Sequence, residues 1–310
     1  MPVFENRHLL RVLQPPQQQA QHFVEYCRAH QVLTRGLCRI GATRRGGMRG
    51  LIANKDIKKD ENVVMLPPRA CLHPGTALKE KRFFSLFPEQ ERETYFLKQS
   101  FIENSRVADR SIIRHNQFLL ACYMSYLILR NDTNEGGQAL RYVNFMPRSE
   151  GDFEQLTSNM SGALDSAAVC RVGQSVLASH FGVTQAEIRP LLQWSLAMIF
   201  SRMVPVDHRW TLKHSFSDTP FENAFEMRGP NDDKSLVKEP IAFLCPVIDM
   251  CNHSEHENVA VMVPEQTPTA HEPVICLRSL RDIEKGEELT MTYGGSPTEL
   301  RVIWGMQRVL

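Results

Sequence analysis

Asp249-Met250-Cys251-Asn252-His253, answered downstream by Gly286-Glu287-Glu288-Leu289-Thr290-Met291-Thr292-Tyr293-Gly294, is the stretch on which the reading of this chain turns. An Asn-His pair follows the apolar run Ile241-Ala242-Phe243-Leu244-Cys245-Pro246-Val247-Ile248, which reads as a strand. A second strand-like segment then closes on Tyr-Gly. Packing does not explain either motif. Asn252 carries two donors and an acceptor and His253 two ring nitrogens. Leaving such groups buried and unpaired costs on the order of 1–3 kcal/mol each, so both demand a partner.

Outward from this pair the sequence alternates in character. Val259, Val261 and Val263, then Val274 and Cys276, fall at every second position and predict a hairpin across the polar linker 264–273. Upstream, Gly46-Gly47-Met48-Arg49-Gly50 opens onto Leu51-Ile52-Ala53, and a charged turn (56–61) leads to Val63-Val64-Met65-Leu66. These two apolar runs predict a second β-hairpin. From about Leu86 to Val204 the spacing is helical, with segments over 110–130, 163–180 and 185–203; Pro190 is tolerable only near the start of the last. Residues 1–30 read as a mobile start leading into a short helix over 21–30, 132–137 as a loop, and 207–239 as a polar surface insertion. Strands, a block of helices and strands again predict an α+β fold with a helical insertion in a small β domain.

Composition limits the function classes. The 310 residues are 42% hydrophobic and 23% charged, suited to one large domain or two ordinary ones with an ample core. Lys plus Arg number 36 against 35 acids, so no global field recruits nucleic acid or an anionic membrane. The longest apolar run, Phe118–Leu129, falls well short of the ~20 residues a membrane span needs. The N-terminus lacks a charged region followed by an apolar core, so no secretory signal is expected. Eight scattered cysteines predict reduced core thiols and an intracellular protein, cytoplasmic or nuclear.

Taken in order, four stretches resemble the SET-domain protein methyltransferases. Gly47 to Ile57 looks like the opening segment; Ser201-Arg202, closing a helix that contains Trp194, is similar to the motif before the second half; Asp249–His253 and Glu287–Gly294 follow. Glu299–Met306 looks like the short helix and glycine turn after the tyrosine. The order, with a helical block between the halves, resembles that of the split-SET group typified by the plant Rubisco large-subunit methyltransferase. The resemblance implies a SET β-fold of small sheets, divided into an N-terminal extension (1–35), a first SET part (36–85), a helical insertion (86–195) and a second SET part with its closing segment (196–310).

It also implies a reaction: transfer of a methyl group from S-adenosylmethionine to a side-chain nitrogen of a protein substrate. Lysine is the expected acceptor, with histidine, methylated by one branch of the group, as the alternative. Tyr293 would be the catalytic residue, orienting the amine and walling its channel beside Ser201. Met48, Arg49, Gly50, Arg202, Asp249, Met250, Cys251, Asn252, His253, Trp304, Gly305 and Met306 would hold the cofactor, Arg202 taking its carboxylate or else a carbonyl near the lysine channel, and Asn252 its amino acid end. The chain departs from the family in two places. Gly47 stands where an acidic residue commonly precedes the glycines. Split-SET proteins also usually continue into a helical substrate-binding domain, whereas this sequence ends at Leu310, so selection by such a domain is not part of the expectation.

Three other readings compete. Cys245, Cys251, His253 and His256 invite zinc, but there is no Cys-x-x-Cys spacing, and no metal is expected. No Gly-x-Gly-x-x-Gly follows a strand, against a Rossmann-type enzyme. Arg35–Lys59 holds eight basic residues against Asp56 alone, either a solvated hairpin or a docking face for an acidic protein or RNA. An inactive SET scaffold that only binds is thus the alternative from a different class.

Overall fold

Residues 16–43, 49–89, 115–131, 138–146, 168–206, 241–263 and 274–293 are described by the structure, a computed structural model of the chain. Helix α1 (Pro16–Ala29) leads into β1 (Cys38–Ala42), β2 (Arg49–Ala53) and β3 (Asn62–Leu66). Among the described residues six helices follow: α2 (Pro74–Lys79), α3 (Lys81–Phe84), α4 (His115–Arg130), α5 (Gln138–Phe145), α6 (Ala168–Phe181) and α7 (Gln185–Arg202). The chain returns to strands with β4 (Met203–Val206), β5 (Ile241–Leu244), β6 (Asn252–His253), β7 (Val259–Met262), β8 (Ile275–Ser279) and β9 (Glu288–Met291). The class is α+β, as the sequence predicts.

Strand pairing departs from the sequence reading at one point with consequences. β2 and β3 do not form a hairpin with each other. β2 lies in a four-stranded sheet of order β1-β2-β9-β6, and β3 in a three-stranded sheet of order β3-β8-β7. The reason is burial on both faces. Leu51, Ile52 and Ala53 of β2 and Val63, Val64 and Leu66 of β3 are all buried, so each strand needs partners from elsewhere to cover it. Those partners arrive from the far end of the chain: Leu51 faces Leu289, and Val64 faces Leu277. The hairpin β7–β8 forms as its alternation predicts, with Val261 opposite Leu277. A small third sheet, β4-β5, follows directly on α7.

The apolar run 241–248 is likewise not one strand. β5 ends at Leu244, and the chain turns through Val247, a β-branched residue at φ 73°, into a single 3₁₀ turn, Ile248–Met250. A residue held there costs on the order of 1–3 kcal/mol. Hydrogen bonds from Asp249 N to the Cys245 carbonyl (2.9 Å) and from Cys251 N to the Ile248 carbonyl (3.0 Å) hold the corner. The corner delivers Asn252-His253 into β6, parallel to β9, with Asn252 beside Thr290 and His253 beside Met291.

The helices form where the spacing places them, with shifts of a few residues, and helical structure begins earlier than expected, at Pro74. α7 starts on a reciprocal capping box between Thr184 and Glu187, and Pro190 is its sixth residue. It packs on α4, where Ser125 and Ser195 share a hydrogen bond of 3.1 Å inside the core. α1 and α5 pack through Phe23 stacked on Phe145 at 4.1 Å, and Tyr26 donates to the Ala70 carbonyl at 2.8 Å. No helix of the described residues is long and apolar enough to cross a membrane. The expected mobile start (1–15), loop 132–137 and insertion 207–239 lie outside the described residues.

Candidate active site

Three elements converge where β6 runs beside β9: the end of α7, the 3₁₀ corner and the start of β2. Asn252 is placed by its pairing with β9. Its amide nitrogen donates to the Arg49 carbonyl at 3.3 Å and to Glu288 Oε1 at 2.7 Å. Gly50 lies against the same group. A Cβ there would stand 2.5 Å from Thr43 Cγ2, 2.7 Å from Asn252 Nδ2 and 3.1 Å from Glu288 Oε1. Only glycine lets the β2 backbone come this close to the Asn252 amide.

Tyr293 follows β9 and turns back over the corner. Its hydroxyl donates to the Cys251 carbonyl at 2.7 Å, and its backbone N–H donates to His253 Nδ1 at 3.2 Å. An acceptor at Nδ1 places the proton of the neutral ring on Nε2. The two rings lie 5.3 Å apart. Burial holds the Tyr293 phenol well above its usual pKa, opposed by the positive charge of Arg202. The group is therefore a neutral hydroxyl at physiological pH.

Arg202, the last residue of α7, reaches the corner from the helical side. Its Nη1 donates to the Asp249 carbonyl at 3.2 Å, lies 3.3 Å from the Met250 sulfur, and stands 3.8 Å from Asp249 Oδ2. Asp249 is buried and also accepts from the Tyr142 hydroxyl at 2.8 Å. Burial lifts its carboxyl from 3.8 to about 6, against the opposing pull of Arg202, the Tyr142 hydrogen bond and Arg49. Thr43 Oγ1, Arg202 Nε and Asp249 Oδ1 are buried without a hydrogen-bond partner among the described residues. Each of these orphaned groups has the capacity for one more polar partner.

The expected site residues separate by what they offer. Arg49, Gly50, Arg202, Asp249, Asn252, His253 and Tyr293 come together. The side chains of Met250 and Cys251 are core, so what these residues present to their neighbours in the site is backbone, the Cys251 carbonyl accepting from Tyr293. Ser201 turns its hydroxyl back onto the Met198 carbonyl of its own helix at 3.3 Å. Met48, Trp304, Gly305 and Met306 lie outside the described residues. Tyr142 and Glu288 join the site without having been singled out. Glu288 stood inside the quoted motif, whereas nothing in the spacing around Tyr142 marks it. Arg49 spends its guanidinium on the helical block, donating to the Phe145 carbonyl at 3.3 Å and covering the Phe145 ring at 5.0 Å.

Among the described residues, Cys38, Cys71, Cys122, Cys245, Cys251 and Cys276 are buried thiols, and Cys27 is half-buried. Burial pushes Cys27 and Cys38 up to about 12 and raises Cys245 and Cys251 well above their usual values. Among the described residues no group of three side chains could hold a metal ion. Of the basic segment, Lys58 pairs with Asp282 at 3.0 Å, and Arg44 and Arg45 lie outside the described residues.

The family model of the SET domain matches residues 48–294. No curated protein sequence matches the chain. Among solved structures, the SET domain of LSMT bound to lysine and AdoHcy is similar over 94% of this chain, with a TM-score of 0.55 at 15% identity. Rubisco LSMT bound to sinefungin and monomethyllysine (TM-score 0.54, 15% identity, 96% of this chain) and Rubisco LSMT bound to AdoMet (0.53, 15%, 96%) are similar to the same degree. The chain spans 57–58% of the length of these neighbours.

Proposed function

The chain belongs to the SET-domain family, and on that premise we propose that it is an S-adenosylmethionine-dependent protein methyltransferase acting on a lysine side chain. The observation that carries the reading is the gathering of the Gly50 backbone, Asn252, Arg202 and Tyr293 around the corner at residues 249–253. The residues present fit the cofactor. Arg202, whose buried Nε has no hydrogen-bond partner among the described residues, suits its carboxylate, the Asn252 amide its amino acid end, and the backbone of Arg49, Gly50 and His253 the rest of its length. Bound there, S-adenosylmethionine supplies a methyl carbon activated by its sulfonium.

The protein's own part is alignment. Tyr293, fixed on the Cys251 carbonyl, offers its oxygen to the amine and holds the nitrogen lone pair toward the groove. Proximity and orientation of this kind contribute up to roughly 7–11 kcal/mol to a bimolecular transfer. Because the phenol stays neutral, the amine arrives having lost its proton, which an apolar channel favours by disfavouring the charged form. The helical block 86–195 forms the outer wall of the substrate groove, between the two SET parts at 36–85 and 196–310. Its surface selects the protein that is methylated.

Two variants test the assignment. Asn252→Ala removes a hydrogen bond to a charged part of the cofactor, worth about 1.5–3 kcal/mol, so calorimetric affinity should fall about ten- to hundredfold. Tyr293→Phe keeps the ring and deletes the hydroxyl, so affinity should hold while turnover collapses. The reverse pattern would assign the roles wrongly, and no effect from either would remove the methyltransferase reading. Mass spectrometry of a cell lysate incubated with labelled cofactor decides between lysine and histidine.

A further inference from the structure

Glu288 lies on β9 two residues before Thr290, the residue beside Asn252, and so shares a face with the Asn252 side chain as its diagonal neighbour. The Asn252 amide nitrogen spends both hydrogens there, one on the Glu288 carboxylate and one on the Arg49 carbonyl. Neither partner has a hydrogen to give. Reversing the amide would set its oxygen 2.7 Å from an acceptor-only carboxylate oxygen and lose both bonds. The orientation is therefore fixed. Oδ1 is turned away from both acceptors, and among the described residues nothing donates to it.

We infer that Glu288 is a positioning residue that locks Asn252 with its acceptor toward the groove, making this end of the site selective for a ligand ammonium over a carboxylate. The inference rests on the function proposed above and sharpens it. The two charges of the cofactor's amino acid end are sorted between two residues. Asn252 Oδ1 accepts from the α-ammonium, with the Glu288 negative charge behind it, while Arg202, on the other side of the corner, takes the carboxylate. Without Glu288 only the longer bond to the Arg49 carbonyl, at 3.3 Å, would hold the amide, and the sorting would weaken.

Calorimetry on the full chain tests this with S-adenosylhomocysteine and with its deamino analogue, in which hydrogen replaces the α-amine. The wild type should bind the amine-bearing ligand at least about tenfold more tightly, the range of one hydrogen bond to a charged group. In Glu288→Ala that ratio should shrink to within about threefold, mainly through weaker binding of the amine-bearing ligand. Glu288→Gln keeps shape and packing but offers either an oxygen or an N–H to the amide, so it should give an intermediate ratio even if the alanine variant folds poorly. An unchanged ratio in both variants, with both ligands weakened equally, would reduce Glu288 to a structural residue and overturn the inference while leaving the methyltransferase reading standing. Failure of the wild type to bind S-adenosylhomocysteine at all would overturn both.

Discussion

Asp249 and His73 are two buried groups whose titration pulls the fold in opposite directions. Asp249 has its pKa raised by burial to about 6, above an ordinary value of 3.8. The folded protein thus holds the proton more tightly than the unfolded chain. Its contribution is full below about pH 4 and is lost as pH rises through about 6, a swing of roughly 3 kcal/mol. His73, stacked on Phe243 and accepting from Gly75 N at 3.1 Å, is lowered by burial from 6.5 to about 3. Its contribution is full above pH 6.5 and is lost as pH falls. Asp249→Asn should therefore gain stability relative to the wild type as pH rises from 4 to 7, read as the difference in urea midpoints at each pH. A constant difference across that window would mean that Asp249 is not held near 6. Keeping a carboxylate ionised here at neutral pH costs stability, which fits a residue kept to hold Arg202 and the corner rather than to pack.

At the scale of elements, the helical block depends on one close approach. Gly173 of α6 lies against Phe118 and Cys122, one turn apart on α4. A Cβ at 173 would stand 2.7 Å from Cys122 Sγ and 2.7 Å from Phe118 Cε1, both in the core. Alanine raises helix propensity by up to about 1 kcal/mol, but overpacking a filled core costs typically about 1–3 kcal/mol. The overlap should win, because neither neighbour is the loose end of a flexible chain. Gly173→Ala should lower the Tm by several degrees, and Cys122→Ala in the same chain should recover part of the loss. A Gly173→Ala protein more stable than the wild type would show that the two helices can separate at little cost.

For the whole molecule, the two halves of the sequence complete each other's sheets. β9 lies between β2 and β6 in one sheet, and β8 between β3 and β7 in the other. Neither half holds a finished core, since the strands before the helical block are covered by strands that follow it. Arg49 adds a second tie, from β2 to Phe145 of α5. Expressed as separate fragments, residues 1–206 should be helical without a cooperative unfolding transition, and residues 207–310 unstructured. Co-expressed, they should copurify and regain one transition, followed by circular dichroism and chromatography. A cooperatively folded 207–310 fragment on its own would contradict this interlocking.

Local information determined much of this protein. The positions of the helices, the β7–β8 alternation, and the motif residues Arg202, Asn252 and Tyr293 are legible because periodicity and unusual polar pairs are properties of short stretches. Partner choice is not local. The runs 51–53 and 63–66 look like a hairpin by spacing, and only the need to bury both faces of each sends them to different sheets, with partners over 200 residues away. Glu288 and Tyr142 carry no local mark of their roles for a related reason. A carboxylate or phenol acquires its role from the acceptor or donor that folding sets beside it, here the Asn252 amide and the Asp249 carboxylate. The strained turn at Val247 and the raised pKa of Asp249 belong to the same class. Both exist because the tertiary structure closes over the corner, removing water from a charge and fixing a backbone angle that the residue itself does not favour.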